Sequence, residues 1–194
     1  MKMQTVDAPG IVSGHPAAHA DNSGGESVPA RVEWFAVYTR SRHEKAVRNS
    51  LQQKVVEGFL PVHDVLSRWK DRRKWVQKPL FPGYLFVHVA PFDLEKVRST
   101  RGVVDIVGDG EVPISVPAEQ VEGIRRMIEA PVKVDPLPYM RTGKPVRVKT
   151  GPLIGLEGFV VEQKGSCRLV VSIDLLGRSV AAEVDMECVE VLDN

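Results

Sequence analysis

The chain has 194 residues, 43% of them hydrophobic and 26% charged, enough to bury one large core or two small ones. No run approaches about 18 consecutive apolar residues and the N-terminus has no compact apolar segment, so neither a membrane span nor a secretory signal is expected and the protein reads as cytoplasmic. The net charge is only +1, yet residues 31–80 carry twelve Lys and Arg against five Asp and Glu, a net +7, which is the footprint a polyanion-binding surface leaves.

Residues 1–30 contain no Leu, Phe, Tyr or Trp and several Gly and Pro, so a disordered tail is expected there. Trp34 to Thr39 predicts a strand. From Arg42 to Val55, Val47, Leu51 and Val55 recur every fourth residue, with Arg42, Lys45, Arg48 and Gln52 opposite. That spacing predicts an amphipathic helix with a basic outer face, ended by Gly58. Phe59 to Val62 starts a strand, Arg68 to Trp75 reads as the tip and flanks of a hairpin with Trp69 and Trp75 either packed across it, the default, or serving to stack bases, and Phe81 to Val89 is a further strand. A short helix is predicted over Phe92 to Thr100. Strands at Val103–Val107 and Val112–Val116 flank the Gly108-Asp109-Gly110 turn, and Pro117 opens a helix striped by Val121, Ile124 and Ile128.

Residues 31–130 are therefore expected to form one α+β domain, an antiparallel sheet with flanking helices. Pro131, Pro136 and Pro138 mark 131–141 as a semi-rigid linker. From 142 to 194 five short β-rich runs, at 146–149, 158–162, 168–173, 179–184 and 188–191, alternate with turns at Gly151-Pro152, Lys164-Gly165 and Leu176-Gly177. They predict a small closed all-β barrel.

Two signatures meet in this chain. One is Trp34-Phe35-Ala36-Val37-Tyr38-Thr39 together with Pro79-Leu80-Phe81-Pro82-Gly83-Tyr84-Leu85-Phe86-Val87; the other runs from Val146-Arg147-Val148 through Gly151-Pro152-Leu153-Ile154-Gly155-Leu156-Glu157-Gly158-Phe159-Val160. From Trp34 to Leu192 the chain resembles the NusG family of transcription elongation factors, whose N-terminal domain carries the Phe-Pro-Gly-Tyr element and whose C-terminal domain is an SH3-like KOW barrel. Tyr38 to Lys45 and Arg72-Arg73-Lys74-Trp75 make it more similar to the specialised RfaH and UpxY-type antiterminators than to the housekeeping member.

The resemblance implies a non-enzymatic factor. It would bind the clamp coiled coil of the largest RNA polymerase subunit through an apolar patch, here Tyr38, Phe81, Pro82, Tyr84 and Phe86, and suppress pausing or termination on particular operons, such as those for surface polysaccharide. Phe81, Tyr84 and Phe86 alternate with Pro82 and Leu85, so one face of the strand could be core and the other an aromatic surface, and sequence does not say which. Tyr38 and Tyr84, with polar tips, suit an interface best. By the same resemblance, positions matching Arg40, Thr100 and Arg101 lie near the non-template DNA strand, with Arg42, Arg48, Arg72 and Arg73 extending the basic surface; Lys45 and Lys54 read as a solvated face. Leu153 and Ile154 match the loop tip that meets Rho or a small-subunit ribosomal protein. The usual aromatic is missing at Leu153, and an aliphatic folded over the barrel mouth is an equal reading.

Some specialised members refold this barrel as a helical hairpin, but Leu169-Val170-Val171 and Val189-Glu190-Val191 favour a permanent barrel. Two alternatives stay open: a general NusG factor acting on most genes, and an RNA- or ribosome-binding KOW module. Against the latter, residues 131–194 sum to −1.

Catalytic patterns are weak. Cys167 and Cys188 are too few for a disulfide framework and read as ordinary buried thiols. None of His15, His19, His43, His63 and His88 pairs with a Cys or carboxylate at metal or triad spacing, and Gly151 to Gly158 lacks the Lys-Ser/Thr ending of a phosphate loop. No cofactor or metal and a monomeric state are expected.

Overall fold

The computed structural model describes residues 31–68, 72–140, 142–163 and 166–192; the expected tail over 1–30, Trp69 and the Lys164-Gly165 turn lie outside the described residues. In chain order the elements are β1 (Glu33–Thr39), α1 (Glu44–Gln53), β2 (Glu57–Phe59), β3 (Val62–Arg68), β4 (Arg73–Pro79), β5 (Tyr84–Val89), α2 (Leu94–Arg98), β6 (Val103–Ile106), β7 (Gly108–Asp109), β8 (Val112–Pro113), β9 (Ser115–Val116) and α3 (Ala118–Glu129). There follow β10 (Val134–Pro138), β11 (Lys144–Val148), β12 (Glu157–Gln163), β13 (Ser166–Ile173), β14 (Arg178–Val184) and β15 (Val189–Val191).

The N-terminal sheet runs β2-β5-β1-β6, with β9 also pairing β1, all antiparallel. Its two central strands are apolar on both faces, because both faces are covered. Phe35 and Val37 of β1 and Leu85, Val87 and Val89 of β5 bury against Val47 and Leu51 of α1 and Leu94 and Val97 of α2. The alternate residues Trp34, Ala36 and Phe86 join Val121, Ile124 and Met127 of α3 in a second core, which continues through Leu153, Leu156, Leu169 and Val171 into the C-terminal sheet. The antiparallel sheet with few helices agrees with the α+β expectation.

Several boundaries moved for local reasons. The first helix was expected to bury Val55, but α1 stops at Gln53 and Val55, at φ 60°, is 95% exposed, while Val56 takes the buried place. Pro61 separates β2 from β3, and its carbonyl accepts Leu80 N–H at 2.9 Å. Phe81 to Gly83 form a turn, closed by Tyr84 N–H donating to Phe81 O at 3.0 Å, so the strand begins only at Tyr84. Helix α3 buries Val121, Gly123, Ile124 and Met127; Ile128 is half-buried.

The expected linker contains a strand. β10 pairs with β14 from Val134↔Ala182 to Pro138↔Arg178 and forms one edge of a six-stranded antiparallel sheet, β10-β14-β13-β12-β11-β15. Pro136 and Pro138 are compatible with that edge because an edge strand leaves half its N–H groups unpaired. Among the described residues β10 and β15 are the outer strands of this ladder. Cys167 and Cys188 are free and half-buried, more accessible than the buried thiols expected.

The two sheets meet through α3. An added Cβ at Gly123 would stand 3.2 Å from Leu156 Cδ1 and 3.4 Å from Val171 Cγ1, so glycine there permits close helix-to-sheet approach. Gln120 secures the contact: its Nε2 donates to Asp174 Oδ2 at 2.8 Å and its Oε1 accepts Asp174 N–H at 3.2 Å. The Arg126 guanidinium donates to the Ile154 carbonyl.

Candidate functional site

Three turns converge at one end of the N-terminal sheet, and backbone hydrogen bonds hold them together. Thr39 N–H donates to Gly83 O at 2.8 Å, and Arg40 N–H donates to Gly102 O at 2.9 Å, which sets the turn after β1 between the Phe81–Tyr84 and Thr100–Gly102 turns. A buried carboxylate completes the joint: Glu44 Oε1, in the first turn of α1, accepts Gly83 N–H at 2.8 Å. Gly83 sits at φ 85° with the Tyr38 ring 3.3 Å from where a Cβ would be, so the aromatic lies flat against a position only glycine fills without strain.

On this frame Tyr38 and Tyr84 face each other directly across β1 and β5, with ring centroids 5.2 Å apart. Tyr38 is 44% exposed, Tyr84 half-buried and Pro82 exposed. These three form an accessible apolar step flanked by the exposed Arg40 and Arg101. Phe81 and Phe86 are different: both are fully buried, edge to face with centroids 5.9 Å apart, in the core shared with α3 and the C-terminal sheet. The expected patch of five thus divides into three surface residues and two packing residues beneath.

The basic residues divide as well. Arg40, Arg42 and Arg101 cluster at the three turns; Arg42, at φ 64°, follows Arg40 into the start of α1. Arg48 lies one turn further along the helix, its stem against Gly58. Arg72 and Arg73 are exposed at the distal end of the β3–β4 hairpin, a separate two-stranded ribbon. Thr100, expected at DNA, is buried and occupied: its hydroxyl donates to Lys96 O at 2.9 Å and accepts Lys54 Nζ at 2.8 Å. Lys54, expected to be merely solvated, also donates to Lys96 O at 2.9 Å, a cation set against the C-terminal end of α2, where carbonyls lack helical partners. At the other expected site, Leu153 is buried in the shared core while Ile154 is 58% exposed.

The opposite end of the same sheet face carries a cluster around His88, which no spacing in the sequence ties to a carboxylate. His88 stacks on Trp34 at 4.7 Å, and its Nδ1 lies 3.2 Å from Glu57 Oε2. Arg125 of α3 donates to Glu57 Oε1 at 3.0 Å and lies 5.4 Å from the Trp34 ring centroid and 5.0 Å from that of Phe59. Partial burial works to raise the Glu57 pKa, but hydrogen bonds from Arg125 and His88 and their positive charge outweigh it and hold the carboxyl below its ordinary range. No linear motif marks this cluster; it forms because β2, β5, β1 and α3 meet. In the C-terminal sheet, Arg147 donates from Nε to Glu157 Oε1 at 2.9 Å, which raises its already high pKa.

Interlocked turns bearing exposed aromatics and arginines make a surface suited to contacts with protein and phosphate. Residues 32–125 match the family model described as transcription termination factor NusG. The transcription termination/antitermination protein NusG of Thermus thermophilus is 31% identical over 180 residues, spanning 79% of this chain and 95% of that relative; the Staphylococcus aureus protein of the same name is 29% identical over 86% of this chain and 99% of its own length. A solved structure described as domain interaction in Thermotoga maritima NusG aligns with TM-score 0.51 at 24% identity, covering 84% of this chain and 98% of that one. The chain belongs to the NusG family of transcription termination and antitermination factors, which are not enzymes. No helix among the described residues is long and apolar enough to cross a membrane.

Proposed function

We propose that this protein is an operon-specific antitermination factor that docks on the clamp coiled coil of RNA polymerase through Tyr38, Pro82 and Tyr84 and steadies the non-template DNA strand with Arg40, Arg42 and Arg101. The observation that carries this reading is the hydrogen-bonded joint of the three turns, which places an apolar aromatic step beside three exposed arginines on a rigid frame. Aromatic anchors suit a protein interface, and arginines suit phosphates. Phe81 and Phe86 support the step from below and Thr100 shapes the turn that presents Arg101. Arg48, Arg72 and Arg73 extend the positive surface toward the hairpin. The C-terminal sheet, as a KOW-type module, offers Ile154 to a second partner, Rho or a small-subunit ribosomal protein, with Leu153 holding that loop in place.

Single-round transcription with purified polymerase on the leader of the protein's own operon, against the same leader scrambled, tests this. Read-through rising only on the native leader supports the operon-specific role. An equal rise on both makes the protein a general factor. No effect and no polymerase binding overturns the reading. On single-stranded DNA, Arg40→Ala and Arg101→Ala are each expected to flatten the salt dependence of binding by about 0.7 log units per log unit of salt.

A further inference from the structure

Between the two sheets, beside the Phe81–Gly83 turn, lies a cleft of about 840 Å³. Leu80, Phe81 and Pro82 line it from the N-terminal side, and Pro136, Leu137 and Pro138 of β10 form the facing wall. The rim is cationic: Arg42, Lys45 and Lys78 come from the N-terminal unit and Arg178 from β14. Among the described residues that line the cleft Glu44 is the one acid, and its carboxylate is committed to Gly83 N–H. None of the four cations has an ion-pair partner among the described residues.

The size is that of a small-molecule site, and an apolar interior with a few convergent charged groups is how such sites are built. Pro136 and Pro138 offer no N–H, so β10 is a poor template for an added peptide strand. What complements the cleft is a flat apolar ring carrying several negative charges, with the ring on the exposed surfaces of Pro82, Pro136 and Pro138 and the charges among the guanidinium and ammonium groups. We propose that the cleft binds a nucleoside polyphosphate. Because its walls come from α1, the β3–β4 hairpin and the Leu80–Pro82 turn on one side and from β10 and β14 on the other, the bound nucleotide holds the N-terminal unit against the C-terminal sheet and stabilises that arrangement by linkage. The cleft shares Pro82 and Arg42 with the proposed polymerase and DNA surface, and its test reads ligand binding alone, so the two readings fail separately.

Calorimetric titration of the full chain at near-physiological salt, with ATP, adenosine and tripolyphosphate as probes, decides it. ATP is expected to bind saturably at one site, with adenosine and tripolyphosphate each at least about tenfold weaker. Lys78→Gln and Arg178→Gln each weaken ATP by about tenfold with the circular dichroism spectrum unchanged, as loss of one charge-assisted contact predicts. Lys149→Gln, away from the cleft, leaves binding as it was. Tripolyphosphate binding as tightly as ATP would reduce the site to diffuse charge and overturn the proposal. So would the absence of saturable ATP binding, or ATP binding indifferent to both cleft variants. A concentration-dependent dimer in sedimentation that Arg178→Gln abolishes would assign the cleft to a second copy of the chain and equally overturn it.

Discussion

The central strands of the N-terminal sheet and the β3–β4 hairpin draw on the same residue types and end in opposite environments. In β1 and β5, Trp34, Phe35, Val37, Leu85 and Phe86 are buried, with α1 and α2 on one face and α3 with the C-terminal sheet on the other. In the hairpin, Leu66 and Trp75 stand opposite each other across the ladder, and Trp75 is 65% exposed. Burial follows from what covers a strand rather than from the strand's own apolarity. The covered pair serves as scaffold, and the uncovered ribbon keeps its aromatic and basic side chains available.

That contrast breaks if the two regions respond alike to truncation. Phe86→Ala, in the shared core, is expected to cost about 3–5 kcal/mol in denaturant unfolding, whereas Trp75→Ala stays within about 0.5 kcal/mol. Equal losses would mean that the hairpin is packed in solution. Gly123→Leu sharpens the comparison, since the enlarged side chain meets Leu156 and Val171 and forces α3 away from the C-terminal sheet. A loss of about 1–3 kcal/mol is expected, with methyl chemical-shift changes confined to the sheet-to-sheet contact and none on the α1 face. Val55→Gly is expected to raise stability by about 1 kcal/mol, because a β-branched residue at positive φ carries strain that glycine does not and no buried contact is lost.

The smallest effect is electrostatic. Glu57 has a folded-state pKa below its ordinary value, so its ionised form stabilises the fold at neutral pH and that contribution disappears as pH falls through the folded pKa. Wild type should exceed Glu57→Gln by no more than about 1 kcal/mol at pH 7, since the group is largely solvated. The difference should vanish in acid; a difference that persists below the carboxylate range would assign the effect to packing of Arg125 instead.

Much of the fold was legible because its signals are local. Alternation and β-branched content located β1, β5 and the C-terminal strands, and an apolar stripe located α1 and α3. The exposed aromatic step was half legible: the polar tips of Tyr38 and Tyr84 singled them out, and the structure leaves Tyr38 open and Tyr84 half-buried. Yet Tyr84 and Phe86 share one face of one strand, and only the α3 and C-terminal cover separates the half-open ring from the sealed one.

The same distant packing explains what sequence reading missed. The prolines of β10 read as a linker, but they suit a strand whose outer edge has no partner. Leu153 read equally as a loop tip and as an aliphatic folded inward, and the core it shares with α3 and the N-terminal sheet buries it; the hydroxyl of Thr100 is held by Lys54, 46 positions away. Which residues could form strands and helices was determined by neighbours two to four positions apart along the chain. Which side chains were left for partners was decided only when the sheets and helices came together, because exposure depends on elements far apart in sequence.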